Sequence, residues 1–268
     1  MWLDSHCHLD AEEFDADRDE VVERARAAGV RAMLIPGVEV MTFERVREVA
    51  HRYGFGYALG IHPLYVSRAA DGDLEQLSEA LRSAQVDPHF VGIGEIGLDF
   101  ADGAPDAERQ EHFYQAQLRL ARSWSLPVVL HVRRSADRLL KYLRRIEVPG
   151  GIAHAFNGSE QQARELTACG LRLGFGGSAT FSGSLRIRRL VVEIPDPAIV
   201  LETDAPDIAP QWMHLEPGPR RNEPAQLPRI GAVIAQLRSV SPEQLAAINQ
   251  RNVLDAFPRL AALAPAAS

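Results

Sequence analysis

The sequence predicts a single-domain (β/α)8 barrel over residues 1–268, and three observations predict it. Eight short apolar runs alternate with longer amphipathic segments, and most are spaced by about 20–35 residues, close to one strand–helix unit. A chain of 268 residues is long enough to form one α/β barrel as a single unit. Histidines and carboxylates follow most of the runs, which is where barrel enzymes carry their sites.

The apolar runs are the predicted strands. Helices cover both faces of most parallel sheets, so such strands are near-continuously apolar and do not alternate. The runs are 2–3, 32–35, 57–61, 91–93, 127–130, 151–153, 171–175 and 198–201.

The segments between the runs carry apolar residues at helical spacing. Ser135 is predicted to cap the helix that follows the fifth strand. Near the end of the chain, Ser241 is followed by Pro242 and Gln244, a capping box with proline at the first helical position. A helix over 245–257 therefore closes the chain.

A doubly wound open sheet is the competing fold. The polar residues that follow the first, third, fourth, fifth, sixth and eighth runs converge on one rim only if the sheet closes. In an open sheet the first and eighth strands would lie far apart. The barrel is therefore the predicted fold.

Composition and charge limit the classes of function. The formal net charge is −7, whereas an extended nucleic-acid-binding face usually makes a domain basic. We therefore expect no coating of long duplexes, although a nucleic-acid end needs only a few arginines and metal ions. No run approaches the ~20 apolar residues of a membrane span, and no signal peptide is visible. We expect a cytoplasmic monomer in which Cys7 and Cys169 are free thiols.

Four histidines at strand ends are predicted metal ligands. His6 and His8 form an H-x-H after the first strand, where the side-chain period of two places both on one face and Cys7 on the other. His131 and His154 end the fifth and sixth strands. A histidine alone at such a place is more often a solvated or hydrogen-bonded group than a ligand, but ligand-type residues at six positions of one rim favour metal binding.

Two carboxylates complete the predicted ligand set. Glu95 lies in a glycine-rich strand whose glycines permit close backbone approach. A carboxylate can bridge two cations, whereas a neutral imidazole cannot. Asp204 follows the eighth strand. Asp99 is interpreted as a loop or supporting residue. Glu202 shares the strand parity of Asp204, which predicts that it faces the same way, and it is interpreted as a supporting or structural residue.

Seven motifs between residues 4 and 224 together resemble the TatD family of metal-dependent hydrolases, within the amidohydrolase-type barrels. The family usually has serine at the position of Ala205, a small change that leaves Asp204 intact. The motifs are Asp4-Ser5-His6-Cys7-His8-Leu9, Gly60-Ile61-His62-Pro63, Gly94-Glu95-Ile96-Gly97-Leu98-Asp99, Leu126-Pro127-Val128-Val129-Leu130-His131, His154-Ala155-Phe156-Asn157-Gly158, Glu202-Thr203-Asp204-Ala205-Pro206 and Arg221-Asn222-Glu223-Pro224.

The resemblance implies a hydrolytic site with two divalent cations. Related barrels often use a carbamylated lysine as the bridge, but the only lysine, Lys141, lies in a helix well past the strand end. Imidazole-rich ligation suits Zn2+, Mn2+ or Ni2+, while the family resemblance adds Mg2+. The implied ligands are His6, His8 and Asp204 for one ion, His131 and His154 for the second, and Glu95 between them.

Such a site would activate water near neutral pH, with Asp204 as the proton acceptor. His62, Arg133 and Arg221 are predicted to bind the rest of an anionic substrate, because a guanidinium binds phosphate bidentately. Arg134 is a further candidate, equally explained as a solvated surface charge. His62 is equally explained as a capping or supporting group.

The leading functional hypothesis is a phosphodiesterase or deoxyribonuclease acting on nucleic-acid ends or single strands. An aminoacyl-tRNA deacylase and a small-molecule amidohydrolase are alternatives on the same site. A binding module with a structural metal is a different class of protein, but structural zinc sites are usually closed four-ligand sets. Six ligands that include a bridge suit an open site with two ions.

Overall fold

The computed structural model describes residues 1–70, 72–104, 106–215 and 220–263. Its eight strands are parallel and follow one another in the order β1 to β8, so the predicted barrel is confirmed. The strands are β1 Trp2–Asp4, β2 Val30–Pro36, β3 Gly56–Leu59, β4 Phe90–Asp99, β5 Val128–Arg133, β6 Gly151–His154, β7 Leu171–Phe175 and β8 Ile199–Leu201.

Helices alternate with the strands, and short 3-10 turns occupy several of the loops. In the described parts of the chain the α-helices are α1 Arg18–Ala27, α2 Phe43–Tyr53, α3 Asp73–Ala84, α4 Ala107–Trp124, α5 Ala136–Leu143, α6 Glu160–Ala168, α7 Leu185–Glu193, α8 Trp212–Leu215, α9 Leu227–Arg238 and α10 Pro242–Ala256.

The two predicted helix caps have different outcomes. The Ser241 hydroxyl accepts a hydrogen bond from the Gln244 N–H at 3.2 Å, and the Gln244 side chain accepts one from the Ser241 N–H at 2.9 Å, which confirms the capping box of α10. Ser135 occupies the N-cap position of α5, as predicted, but its hydroxyl donates to the Leu98 carbonyl at 2.6 Å and forms no capping hydrogen bond with the helix. This bond joins the start of α5 to β4 instead.

The barrel interior is filled from one end. Small and branched side chains of several strands meet there, and Phe257 and Leu260 pack beneath them after the end of α10. Gly92 leaves room for this plug, because a Cβ there would lie 3.0 Å from the Phe257 ring. The strand residues of this cluster are Leu3, Ala32, Leu34, Ala58, Val91, Val129, Ile152 and Val200. The opposite end of the barrel remains open for a site.

The seam between β8 and β1 is closed partly by a side chain. The Ser5 N–H donates to the Leu201 carbonyl at 3.1 Å. Asn249 of α10, which is fully buried, donates to the Leu3 carbonyl and accepts from the Leu201 N–H, both at 2.7 Å. The Asn249 amide therefore supplies hydrogen bonds to both strands that border the seam.

The cysteines agree with the sequence expectation, because Cys7 is buried, Cys169 is partly exposed and neither forms a disulfide. The Cys7 thiol donates to the Ala205 carbonyl at 3.7 Å. Among the described residues, no helix has the length and apolar character that crossing a bilayer requires.

Candidate metal centre

All six predicted metal ligands meet at the carboxyl-terminal rim of the barrel. His6 and His8 lie in the loop after β1 and not on the strand itself, which ends at Asp4. Their Nε2 atoms nevertheless face each other at 3.2 Å. The cluster borders a cavity of about 1830 Å³ formed by the loops of the rim.

Glu95 lies at the centre of the cluster. Its Oε2 atom is 3.2 Å from His6 Nε2 and 3.3 Å from His8 Nε2. Its Oε1 atom is 2.9 Å from His131 Nδ1 and 2.8 Å from His154 Nε2. Each carboxylate oxygen therefore faces a different pair of imidazoles, which is the arrangement that a bridging ligand needs.

Glycines in β4, the strand that carries Glu95, allow it to lie close to its neighbour. Gly97 has a φ of +143°, and a Cβ there would lie 2.2 Å from the His131 carbonyl oxygen. Only glycine permits β4 to approach β5 so closely at this point. The close approach brings Glu95 and His131 within hydrogen-bonding distance.

Asp204 completes the set that contains His6 and His8. Its Oδ1 atom is 3.3 Å from His6 Nε2 and 3.6 Å from His8 Nε2, and its N–H donates to the His6 carbonyl at 2.9 Å. Bonds of ~2.0–2.1 Å to a tetrahedral ion separate the ligand atoms by about 3.3–3.4 Å. The observed separations and the mixture of imidazole and carboxylate donors therefore fit a divalent transition-metal ion.

His62 contributes more to the cluster than the sequence suggested. Its Nδ1 atom accepts from the Leu64 N–H at 3.1 Å, so the predicted alternative of a capping group is observed. Its Nε2 atom is 3.2 Å from Glu95 Oε1. Burial lowers the pKa of His62 to about 4, so the ring is neutral; because Nδ1 accepts a hydrogen bond, the proton is on Nε2, which donates to Glu95. The signal for this role was its place at the end of the third strand.

Asp99 orients the His131 ring. The Asp99 Oδ2 atom is 3.0 Å from His131 Nε2, so Nε2–H donates to the carboxylate and Nδ1 faces Glu95. Burial raises the pKa of Asp99, but the hydrogen bond with His131 outweighs burial and holds that pKa below its usual value. This contact matches the supporting interpretation of Asp99.

Asp99→Asn should lower metal affinity by about 10- to 100-fold, the usual effect of removing the partner of a ligating histidine. The neutral amide no longer favours the Nε2–H tautomer that leaves Nδ1 free. Zn2+ affinity can be measured by competition with a chromogenic chelator, with Asp102→Asn as the control because Asp102 is 98% exposed. Equal affinities in the two variants would show that Asp99 has no influence on the metal.

Glu202 supports the other side of the cluster. Its Oε1 atom accepts from the Ala155 N–H and lies 3.8 Å from His154 Nδ1. Gly174 provides the space, since a Cβ there would lie 2.1 Å from Glu202 Oε2. Burial raises the pKa of Glu202 to about 8. The parity argument for Glu202 therefore identified a residue that contacts the site.

Asp4 and Thr203 form a link that sequence reasoning missed. The Asp4 carboxylate accepts from the Thr203 N–H at 3.0 Å, from the Thr203 hydroxyl and from the His6 N–H at 3.2 Å. Burial raises the pKa of Asp4 to about 7, against the opposing effect of these hydrogen bonds. The link fixes the loop after β1 to the loop after β8. Asp4 and Thr203 lie in the two sequence motifs that contain His6 and Asp204, so these motifs already held both members of the link.

Metal binding should release protons from the cluster. Burial lowers the pKa of His8 and of His154, but hydrogen bonds and charge from Glu95 outweigh it and raise these values to about 9 and about 10. Both rings are therefore protonated at pH 7 in the metal-free protein, whereas ligation needs neutral imidazole. Each ion should displace about one proton, so affinity should rise about tenfold per pH unit below pH 9. Calorimetry in buffers of different ionisation enthalpy measures this, and pH-independent binding would contradict it.

The predicted substrate-binding arginines lie in different places. Arg133 and Arg134 border the cavity with more than half of each side chain exposed. Arg221 instead forms ion pairs with Asp17 at 2.7 Å and Glu223 at 3.0 Å, and it is not among the residues that border the cavity. These contacts anchor the loop before α9 to the turn before α1. Substrate binding by Arg221 stays a prediction that its position does not favour.

The chain is similar to known proteins over the whole barrel. The TatD related DNase family profile matches residues 3–258. The chain is 37% identical over 260 residues to the "Uncharacterized metal-dependent hydrolase YjjV" of Escherichia coli, covering 96% of this chain and 97% of that protein. It is 39% identical over 259 residues to the "3'-5' ssDNA/RNA exonuclease TatD" of Cronobacter sakazakii, covering 95% and 97%. The crystal structure of the E. coli YjjV protein superposes with a TM-score of 0.89 at 35% identity, covering 96% and 98%. The chain therefore belongs to the TatD related DNase family.

Proposed function

We propose that the protein is a metal-dependent phosphodiesterase that cleaves single-stranded nucleic acid from an end. The observation that carries this proposal is the position of Glu95, whose two carboxylate oxygens face two separate groups of imidazoles. The Cronobacter relative, named a 3'-5' ssDNA/RNA exonuclease, supports the nuclease activity. The net charge of −7 favours a strand end over a long duplex.

The proposed cofactors are two divalent cations, with Zn2+, Mn2+, Ni2+ and Mg2+ as candidates. When bound, two cations supply Lewis-acid stabilisation of the phosphoryl oxygens and lower the pKa of a coordinated water. We assign His6, His8 and Asp204 to one ion, His131 and His154 to the other, and Glu95 to both. We assign His62 to holding Glu95 in place, through the hydrogen bond that its Nε2–H donates to Glu95 Oε1.

The protein residues supply proton transfer and orientation. Burial raises the pKa of Asp204, which makes it a stronger proton acceptor than an exposed aspartate. Asp99 and Glu202 contact the His131 and His154 sides of the cluster and limit the motion of these rings. We assign Arg133, which borders the cavity, to binding a phosphate of the substrate strand.

We also propose that the protein is a monomer located in the cytoplasm. Unpaired Cys7 and Cys169 are compatible with a reducing compartment. The six candidate ligands come from one chain, so the centre needs no second copy.

The test is a screen of the purified protein with each candidate cation. Substrates would be single-stranded DNA and RNA labelled at either end, a duplex, an aminoacyl-tRNA and a chromogenic phosphodiester. We expect stepwise shortening of the single strands and about two ions per chain by mass spectrometry. If only the ester of the aminoacyl-tRNA is cleaved, the deacylase alternative replaces the nuclease. One inert ion and no hydrolysis would indicate a binding module.

A further inference from the structure

The rim of the cavity is divided by charge. Apart from Glu202 and Asp204 at the metal centre, the loops after β8, β1 and β2 contribute five carboxylates to its wall, whereas the end of β5 and the segments after β5 and β7 contribute four guanidinium groups and one carboxylate, Asp137. The carboxylates are those of Asp10, Glu12, Glu13, Glu39 and Asp207, and the guanidinium groups belong to Arg133, Arg134, Arg138 and Arg186. In an eight-stranded barrel β6 lies opposite β2, so the two charges occupy opposite halves of the rim.

Arginines on the acidic half are neutralised by neighbouring acids. Arg68 forms a two-pronged ion pair with Glu39, with N–O distances of 2.9 and 2.7 Å. Arg45 pairs with Asp15 and donates to the Asp10 carbonyl at 2.6 Å. Neither guanidinium adds net positive charge to that half of the cavity.

Two arginines on the opposite half keep most of their charge available. Arg133 is 63% exposed, and its nearest carboxylate, Asp99 at 3.8 Å, is already hydrogen-bonded to His131. Arg186 is exposed, and its Nε atom donates to the neutral amide oxygen of Asn157 at 3.0 Å. Both remain free to form charge-assisted hydrogen bonds to a phosphate.

We propose that the substrate strand crosses the β5–β7 side of the rim, with Arg133 and Arg186 each binding a backbone phosphate. This inference rests on the proposed function and adds the path of the strand. The acidic half repels phosphates, so it excludes the opposite path. The residues after β6, which include Asn157, border the cavity between the segments that carry the two arginines.

The test is the binding of a phosphorothioate oligothymidylate, which resists cleavage, measured by fluorescence anisotropy at several salt concentrations. Replacing both arginines (Arg133→Gln with Arg186→Gln) should weaken binding about tenfold at low salt. Because each phosphate contact on a single strand contributes about −0.7 to the slope of log K against log salt, the slope should become shallower by about 1.4. Both side chains are exposed, so the double variant should fold normally, and circular dichroism checks this.

Arg68→Gln is the matched control, because Arg68 borders the same cavity but is paired with Glu39. It should keep the wild-type affinity and slope. Wild-type affinity in the double variant, or an equal loss in Arg68→Gln, would overturn the proposed path while leaving the nuclease activity intact. A wild-type protein that neither binds nor shortens single strands would overturn the proposed function, and the path with it.

Discussion

Glu95→Gln should reduce bound metal from about two ions per chain to one or fewer and slow hydrolysis by at least about 1000-fold. The change keeps the shape of the side chain but removes the charge that faces both groups of imidazoles. The amide nitrogen of the glutamine is also a hydrogen-bond donor, so its protons would face one of the two pairs of imidazole nitrogens. Metal content by mass spectrometry and the rate on a chromogenic phosphodiester measure the two effects.

Glu23→Gln is the control for this change, since Glu23 is exposed on α1. It should retain wild-type metal content and rate. A Glu95→Gln protein that is active with two bound ions would disprove the bridging role. Loss of activity with metal content unchanged would restrict Glu95 to a role in the reaction itself.

Asp204→Asn should abolish measurable hydrolysis, a loss of about 1000-fold or more, while the fold survives. An asparagine cannot take the proton from the attacking water and is a weaker ligand beside His6 and His8. Its amide side chain fills the same space in a site that is already buried. Far-ultraviolet circular dichroism and single-turnover cleavage of a labelled oligonucleotide provide the two readouts.

Asp207→Asn is a matched control, because this exposed carboxylate borders the same cavity three residues later. It should leave the rate within about twofold of wild type. Normal turnover by Asp204→Asn would show that another group accepts the proton. An equal loss of rate in both variants would show that hydrolysis depends on the total negative charge of this loop and not on Asp204 in particular.

The barrel and the six-residue cluster could be predicted from sequence because both depend on strand ends. Once the strands are parallel and the sheet closes, residues at those ends must share one rim. That reasoning recovered Glu95 and Asp204 although they lie on different sides of the barrel. The same logic applied to His62, whose ring reaches Glu95.

The same reasoning could not predict loop conformations or contacts between residues that are far apart in the sequence. Arg221 was chosen because guanidinium suits phosphate, yet its contact with Asp17 joins residues 204 positions apart. The Ser135 hydroxyl likewise turns to Leu98 because the end of β4 passes beside the start of α5. Asn249 lies in an ordinary amphipathic helix by its sequence pattern, and nothing in that pattern reveals a bond to a strand 246 positions earlier.

The Asn249 bonds across the seam also bear on the metal centre. His6 and Asp204 stand on the two sides of that seam, and the Asn249 amide is bonded to the backbone of both bordering strands. Loss of these bonds would loosen the two strands relative to each other, and with them the spacing between His6 and Asp204. The helix α10, which carries none of the six candidate ligands, therefore helps to set the geometry of the centre.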